Sequence, residues 1–329
     1  MHMKLGAIAA LLAGLALVAY LVFHIGIEQV LEAAGHVGWG GFALICIAGL
    51  GVECCLGTAW YALLFPYRVL WRALVFGRQL RDSASDLLPF TQVGGMVFGA
   101  RAAVLGGVPA PLSYASMMVD VTTELTGQIA FIFIGLLFGI TALRSSASFA
   151  PYADGMILGT ALLIPVLIAF VVVQRRGTYL AEKLAGRFLP AAVSHTEAFA
   201  RALKELYERP WRLALSATLH LVAWTVSGVW IWLVFKLAGA RIDVFSAIAI
   251  EALLGALRSA TVFIPSAVGV QEAGYAAMAQ VFGVGPEIGL AVSLLKRARD
   301  VTVGVPVLLL WQIVEGKRVF AQKNGNEPR

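Results

Sequence analysis

Charge is scarce in this 329-residue chain, with Asp, Glu, Lys and Arg together making up 13% of it. An ordinary soluble domain carries about a quarter. Cysteine is scarcer still: Cys46, Cys54 and Cys55 share one apolar run, form no CxxC pair, and include an adjacent pair poorly placed for a disulfide. A disulfide scaffold and a thiolate metal site are therefore not expected, and the three read as small core residues. The five histidines (His2, His24, His36, His195 and His220) are scattered, so no metal is expected. No Gly-rich loop leads into Lys-Ser/Thr, and no cofactor is expected.

What the chain has instead is hydrophobic length. Some 60% of its residues are hydrophobic, more than a globule of this size could hide from water. Runs of 20 or more apolar residues recur, each enough to cross roughly 30 Å of hydrocarbon. Spanning segments are predicted near 5–25, 40–65, 111–140, 152–174, 211–237 and 286–316. The first reads as a retained signal-anchor helix rather than a cleaved leader. Two more apolar stretches, near 68–107 and 244–284, are broken at their centres by Pro and Gly and read as re-entrant helical hairpins. The expected fold is an all-α polytopic membrane protein of six full spans plus two re-entrant hairpins, forming one integral membrane domain over 1–329.

Basic residues orient it. Of 25, Lys4, four in 66–86, eight in 175–212 and four after Gly316 fall on one side, making seventeen; Arg144, Lys236 and Arg241 fall on the other. The excess marks the cytoplasmic face of a bacterial inner membrane, with both termini cytoplasmic. That topology explains the positive balance, so nucleic acid is not an expected partner. The amphipathic stretch 176–209, interrupted at Pro190, is expected along the cytoplasmic interface. The tail 322–329 is expected to be flexible.

An internal repeat relates about 68–140 to about 244–316. At an offset of 176 residues, Pro89 falls on Pro265, Ala100 on Ala276, Gly107 on Gly283 and Val108 on Val284. Each hairpin is followed by a long helix with mid-length charges, Asp120–Glu124 in one copy and Lys296–Asp300 in the other. The charge count puts the hairpins on opposite faces, so the copies are inverted, a pattern of transporters with one central site.

Candidate site residues follow. The helices after Pro89 and Pro265 would aim positive dipole ends at the bilayer centre, where an anion is favoured. Gly94, Gly95 and Gly269 either let backbone approach a ligand or only permit tight packing. Lys296, Arg297, Arg299 and Asp300 sit within an apolar helix, where charges are costly. Asp120 and Glu124 present an acidic face on the matching helix, so a buried ion-pair network between the two long helices is expected. With one cation to spare, such a network makes an anion site, and Arg297 is the first choice for a lipid phosphate. Arg101, Arg258, Glu251 and Glu272 lie in the hairpins and Glu53 mid-span; each of the acids reads as an ion-pair partner or as a carrier of a coupling proton.

The stretch PSAVGVQEAGY over 265–275, with the following FGV and LLKRARD, resembles the transmembrane flippase-like domain of the lysylphosphatidylglycerol synthase family. Pro89, Gly94, Gly95 and Arg101 match the family's first-half pattern, and LPFTQVGGMVFGAR is similar to its hopanoid-biosynthesis-associated members. Met96 departs, standing where many members carry an acid. The family's aminoacyl-transfer domain is not seen, so headgroup synthesis is not expected. The resemblance implies translocation of a phospholipid or hopanoid-type lipid between leaflets, without catalysis. A membrane-embedded lipid-modifying enzyme and a non-catalytic partner of lipid biosynthesis are the alternatives. Beyond the membrane lipid, lipid-biosynthesis enzymes and a second copy of the chain are the partners left open.

Overall fold

The computed structural model describes residues 27–65, 67–88, 92–145, 161–172, 193–261 and 264–323, with a few more near 16–24 and 150–159. The expectations for Pro89, most of the 5–25 helix, 176–192 with Pro190, and 324–329 fall outside these. All regular structure among the described residues is helical. The helices are α1 (Ile27–Gly35), α2 (Gly38–Leu64), α3 (Trp71–Leu87), α4 (Gln92–Leu105), α5 (Ala110–Ser145), α6 (Val193–Tyr207), α7 (Pro210–Leu237), α8 (Val244–Ala260), α9 (Val270–Val281) and α10 (Pro286–Lys323). A further apolar helix lies over Ile157–Val172.

Three of them, α2, α5 and α7, are long and apolar enough to cross a membrane. Longer still, α10 has its apolar length interrupted by the Lys296–Asp300 block. It also runs to Lys323, so the first two residues of the expected flexible tail, Gln322 and Lys323, are helical. The described part of the amphipathic stretch is a helix over Val193–Tyr207, and Pro210 opens the next at N1, where its missing N–H costs nothing.

Two antiparallel pairs, α3 with α4 and α8 with α9, take the places of the broken stretches. Small residues let the first pair close: a Cβ on Gly77 would stand 2.9 Å from the Gly99 carbonyl, and one on Gly95 would stand 2.5 Å from the Arg81 carbonyl. Gly95 thus serves packing. Asp243 starts the second pair by accepting from the Phe245 and Ser246 N–H groups (2.9 and 3.0 Å). The Ser246 hydroxyl and these amides hold its carboxyl below the usual range.

The turn that ends each pair is built alike. Val108 N–H donates to the Ala103 carbonyl (3.1 Å) and Gly107 N–H to that of Val104 (3.0 Å). Val284 donates to Ala279 (2.8 Å) and Gly283 to Gln280 (3.1 Å), each bond displaced by 176 residues. Gly107 and Gly283 both hold positive φ, 97° and 75°. These are helix C-terminal turns of the Schellman type.

Five apolar clusters result among the described residues, two of them large. One joins Ile45, Leu136, Ile231, Phe235, Ile250 and Tyr275 from α2, α5, α7, α8 and α9. The other joins Trp60, Leu74, Ala100, Ala103 and Leu203 from α2, α3, α4 and α6. Beside these cores there is a belt of buried charge, with Arg78, Asp120, Glu124, Glu251 and Lys296 among its members.

Candidate lipid headgroup site

Six helices turn a polar face to the same interior volume. On α3, Arg78, Arg81, Asp82, Ser85 and Asp86 recur every three or four positions, which puts them on one face. From α5 come Asp120 and Glu124, from α7 His220, Trp224, Ser227 and Trp230, and from α8 Glu251 and Arg258. Lys296, Arg299 and Asp300 come from α10, and Glu53 from α2. All of these except Asp120 and His220 line a polar cavity of about 180 Å³. A second, wider cavity of about 410 Å³ shares Arg81, Glu124, Trp224, Glu251, Arg258 and Lys296 with it. The rest of its wall is largely apolar, including Met96, Val121, Leu125, Phe170, Leu254 and Ile264.

One side of the polar cavity is a closed ion network. Arg78 holds Glu124 through both Nη atoms (2.9 and 2.6 Å) and reaches Asp82 through Nε (2.9 Å). Arg81 bonds Glu124 (2.7 Å) and Asp120 (3.3 Å), whose other oxygen meets His220 Nε2 at 3.0 Å. Asp120 and Glu124 therefore pair with α3 and α7, and the expected network between the two long helices is not what forms. The inner face of α3, counted from the sequence as a cytoplasmic basic segment, supplies the cations instead.

The opposite wall is built on Lys296. Its ammonium donates to Glu251 Oε1 (2.8 Å) and to the Tyr275 hydroxyl (3.2 Å), and lies 5.6 Å from the centres of the Trp230 and Tyr275 rings. Tyr275 donates to the other oxygen of Glu251 in a short bond, and Ser227 to the first (3.1 Å). Every charge here is partnered, which a buried group requires.

Arg299 is different. Its Nη1 donates to Asp300 (3.0 Å), but Nε and Nη2, the two donors of one guanidinium edge, have no hydrogen-bond partner although the side chain is 8% exposed. Glu53 Oε1 lies 3.8 Å from Nη2, and the Trp230 ring centre is 5.7 Å from the guanidinium carbon. Gly49 makes the space, since a Cβ there would stand 2.7 Å from Nε. The indole N–H of Trp224 is likewise buried and unpartnered, as is Glu53 Oε2. A paired edge of guanidinium donors fits two oxygens of a phosphate or carboxylate.

Other sequence-derived candidates lie elsewhere. Arg297 lines neither cavity. It grips Glu272 through Nε in a short contact and through Nη2 at 3.3 Å, and donates to the Ser266 carbonyl (3.1 Å). Glu272 in turn accepts the Gly269 N–H (2.7 Å), half of a capping box at the start of α9. The positive end of α9 already faces an internal carboxylate, so the anion site expected after Pro265 is filled by the chain itself. Gly269 is there for its backbone, at φ 82°. Arg101 bonds Glu315 (2.9 Å) near the far end of α10, away from both cavities. Gly94 is half-buried on α4 and lines neither cavity.

The tip Pro265–Ala267 does reach the first hairpin: Ser266 donates through its hydroxyl to the Asp86 carbonyl (2.6 Å), and Arg258 Nη2 stands 3.8 Å from Asp86 Oδ1. Ser266 and Ala267 hold φ of 51° and 47°, a left-handed backbone that costs a non-glycine residue roughly 1–2 kcal/mol. Bonds from Arg297 and to Asp86 hold that strain in place.

Reading the sequence missed Arg78, Arg81, Asp82, Asp86 and His220 as members of this belt. The signal for α3 was present, as charges every three to four residues between apolar ones. Nothing local marks His220.

Long apolar helices around a buried, ion-paired centre define a multi-pass membrane protein. The chain belongs to the lysylphosphatidylglycerol synthase TM region family, whose model matches residues 7–308. No curated protein and no solved structure matches it.

Proposed function

We propose that this protein moves a polar lipid between the leaflets of a bacterial inner membrane. The headgroup enters the polar cavity and the hydrocarbon stays in the adjoining apolar one. The observation that carries this is the buried Nε–Nη2 edge of Arg299, without a hydrogen bond, on a cavity that shares a wall with a wider, largely apolar one. Membership of a family described by a lipid synthase's membrane region supports a lipid ligand.

The headgroup is amphoteric on this reading. Five lining cations (Arg78, Arg81, Arg258, Lys296, Arg299) face six carboxylates (Glu53, Asp82, Asp86, Glu124, Glu251, Asp300), so no cation is spare. A phosphate on Arg299 and Trp224, with a cationic or hydroxylated end toward Glu53, matches both unpaired donors and the unpaired acceptor. This favours a phospholipid over a hopanoid. Six crossings, two inverted hairpins and cytoplasmic termini complete the proposal, and the matched turns after α4 and α9 support the repeat.

Reconstitution into liposomes tests it. Wild type should carry fluorescent phosphatidylglycerol or an aminoacylated form across at least tenfold faster than Arg299→Ala, with a hopanoid probe slower. Rates no better than protein-free liposomes would reject translocation. An enzymatic reading draws on Tyr275, whose hydroxyl sits between Lys296 and Glu251. Mass spectrometry of the recovered lipid, finding a chemically altered product, would favour it. A non-catalytic partner of lipid-biosynthesis enzymes would tolerate Arg299→Ala in both assays.

A further inference from the structure

A second set of unpaired guanidinium donors lies at the junction of α6 and α7, among residues that line neither central cavity. Arg209 is the residue before α7, Pro210 its first helical position and Arg212 its third. Arg212 is 8% exposed, yet its Nε and Nη1 have no hydrogen-bond partner among the described residues, and neither does Arg209 Nη1. The carboxylate beside them is already engaged. Glu205 takes Arg209 Nη2 in a short contact and accepts the Tyr67 hydroxyl at 2.5 Å.

Of two guanidiniums three positions apart, only Arg209 is thus paired with a carboxylate among the described residues. Burying such donors without an anion is unfavourable, because they lose water and gain nothing. The 28-residue helix behind them adds its positive N-terminal end. Aromatic rings hold the side chains: the Arg209 guanidinium carbon lies 5.5 Å from the Tyr67 ring centre, and that of Arg212 lies 5.2 Å from Trp211. Trp211 itself is 55% exposed at the start of an apolar span, the place tryptophan takes at headgroup depth.

We infer that Arg209 and Arg212 form a phosphate-binding site at the start of α7, distinct from the central cavity and filled by a phospholipid headgroup or by free phosphate. Either ligand supplies several anionic oxygens to three unpaired N–H groups and the helix end. Binding there would tie α6 to α7 and set the depth of the junction in the membrane.

The test uses the full chain purified in detergent, with native mass spectrometry and thermal unfolding as readouts. Probes are dioctanoylphosphatidylglycerol, dioctanoylglycerol as its phosphate-free counterpart, and inorganic phosphate. All are repeated in an Arg299→Ala background, so that occupation of the central cavity is separated. Phosphatidylglycerol should bind and raise the melting temperature, and dioctanoylglycerol should not. Arg212→Ala should weaken binding tenfold or more, the scale of lost charge-assisted bonds. Inorganic phosphate matching phosphatidylglycerol would identify free phosphate as the ligand. Equal binding by dioctanoylglycerol, or unchanged binding in Arg212→Ala, would overturn the site. Glu205→Gln removes the competing carboxylate and should tighten binding several-fold, a gain that misfolding cannot mimic. Should Arg212→Ala fail to fold, unchanged or weaker binding in Glu205→Gln overturns the site by itself.

Discussion

Two positions apart on α10, Arg297 and Arg299 meet opposite surroundings. Arg297 closes on Glu272, a fully buried carboxylate, so Arg297→Ala leaves a charge with no cation inside the protein. Breaking one side of such a pair typically costs about 3–5 kcal/mol. We expect denaturation in detergent to show a loss of that order. Arg297→Ala with Glu272→Gln should recover most of it, because the stranded charge has gone; strictly additive losses would mean the pair is not coupled. Arg299→Ala loses one hydrogen bond, to the partly exposed Asp300, and a 3.8 Å contact with Glu53, so its stability cost should be smaller even as transport falls. The sequence marked both residues as anomalous, because cations inside an apolar helix are visible in one dimension. It could not rank them. Which of two neighbouring arginines is already neutralised depends on Glu272, twenty-five residues upstream and brought close only by the turn at Gly283.

At the level of the helix pair, the division of each broken stretch into two helices was legible from Pro and Gly, and so were the long helices that follow. The contacts inside each pair were not. In lipid, hydrophobicity does not separate an inward face from an outward one, so only steric fit decides which residues meet. Gly95 is an example: its hydrogen faces the Arg81 carbonyl and the Ser85 hydroxyl, where a Cβ would stand at 2.5 and 2.2 Å. Gly95→Ala should therefore splay α3 from α4 at a cost of about 1–3 kcal/mol, read as a lower melting temperature. Ser85→Ala should not rescue it, since the Arg81 carbonyl is backbone and cannot retreat alone. Full rescue would place the clash at the side chain only. The inner face of α3 shows the same limit from the polar side. Arg78 and Arg81 look like loop cations when counted and become core residues once their side chains reach Asp120 and Glu124 on α5.

Across the whole molecule, α3 of the first half lies against α10 of the second. A Cβ on Gly304 would stand 3.3 Å from that of Ser83, near the roughly 3.8 Å a disulfide spans. In a background with Cys46, Cys54 and Cys55 replaced by alanine, Ser83→Cys with Gly304→Cys should crosslink on oxidation. If the halves rock against each other around the cavity, oxidation should stop lipid transfer and reduction restore it. Transfer that continues through the crosslink would exclude motion at this contact.

The near-equality of cations and carboxylates around the cavity has an energetic consequence. Carrying one elementary charge through a membrane potential of 100 mV takes about 2.3 kcal/mol. On the proposed translocation, an unfilled site whose eleven ionic groups almost cancel would turn from one face to the other with little of that work. The voltage would then act mainly on whatever net charge the passenger lipid itself brings.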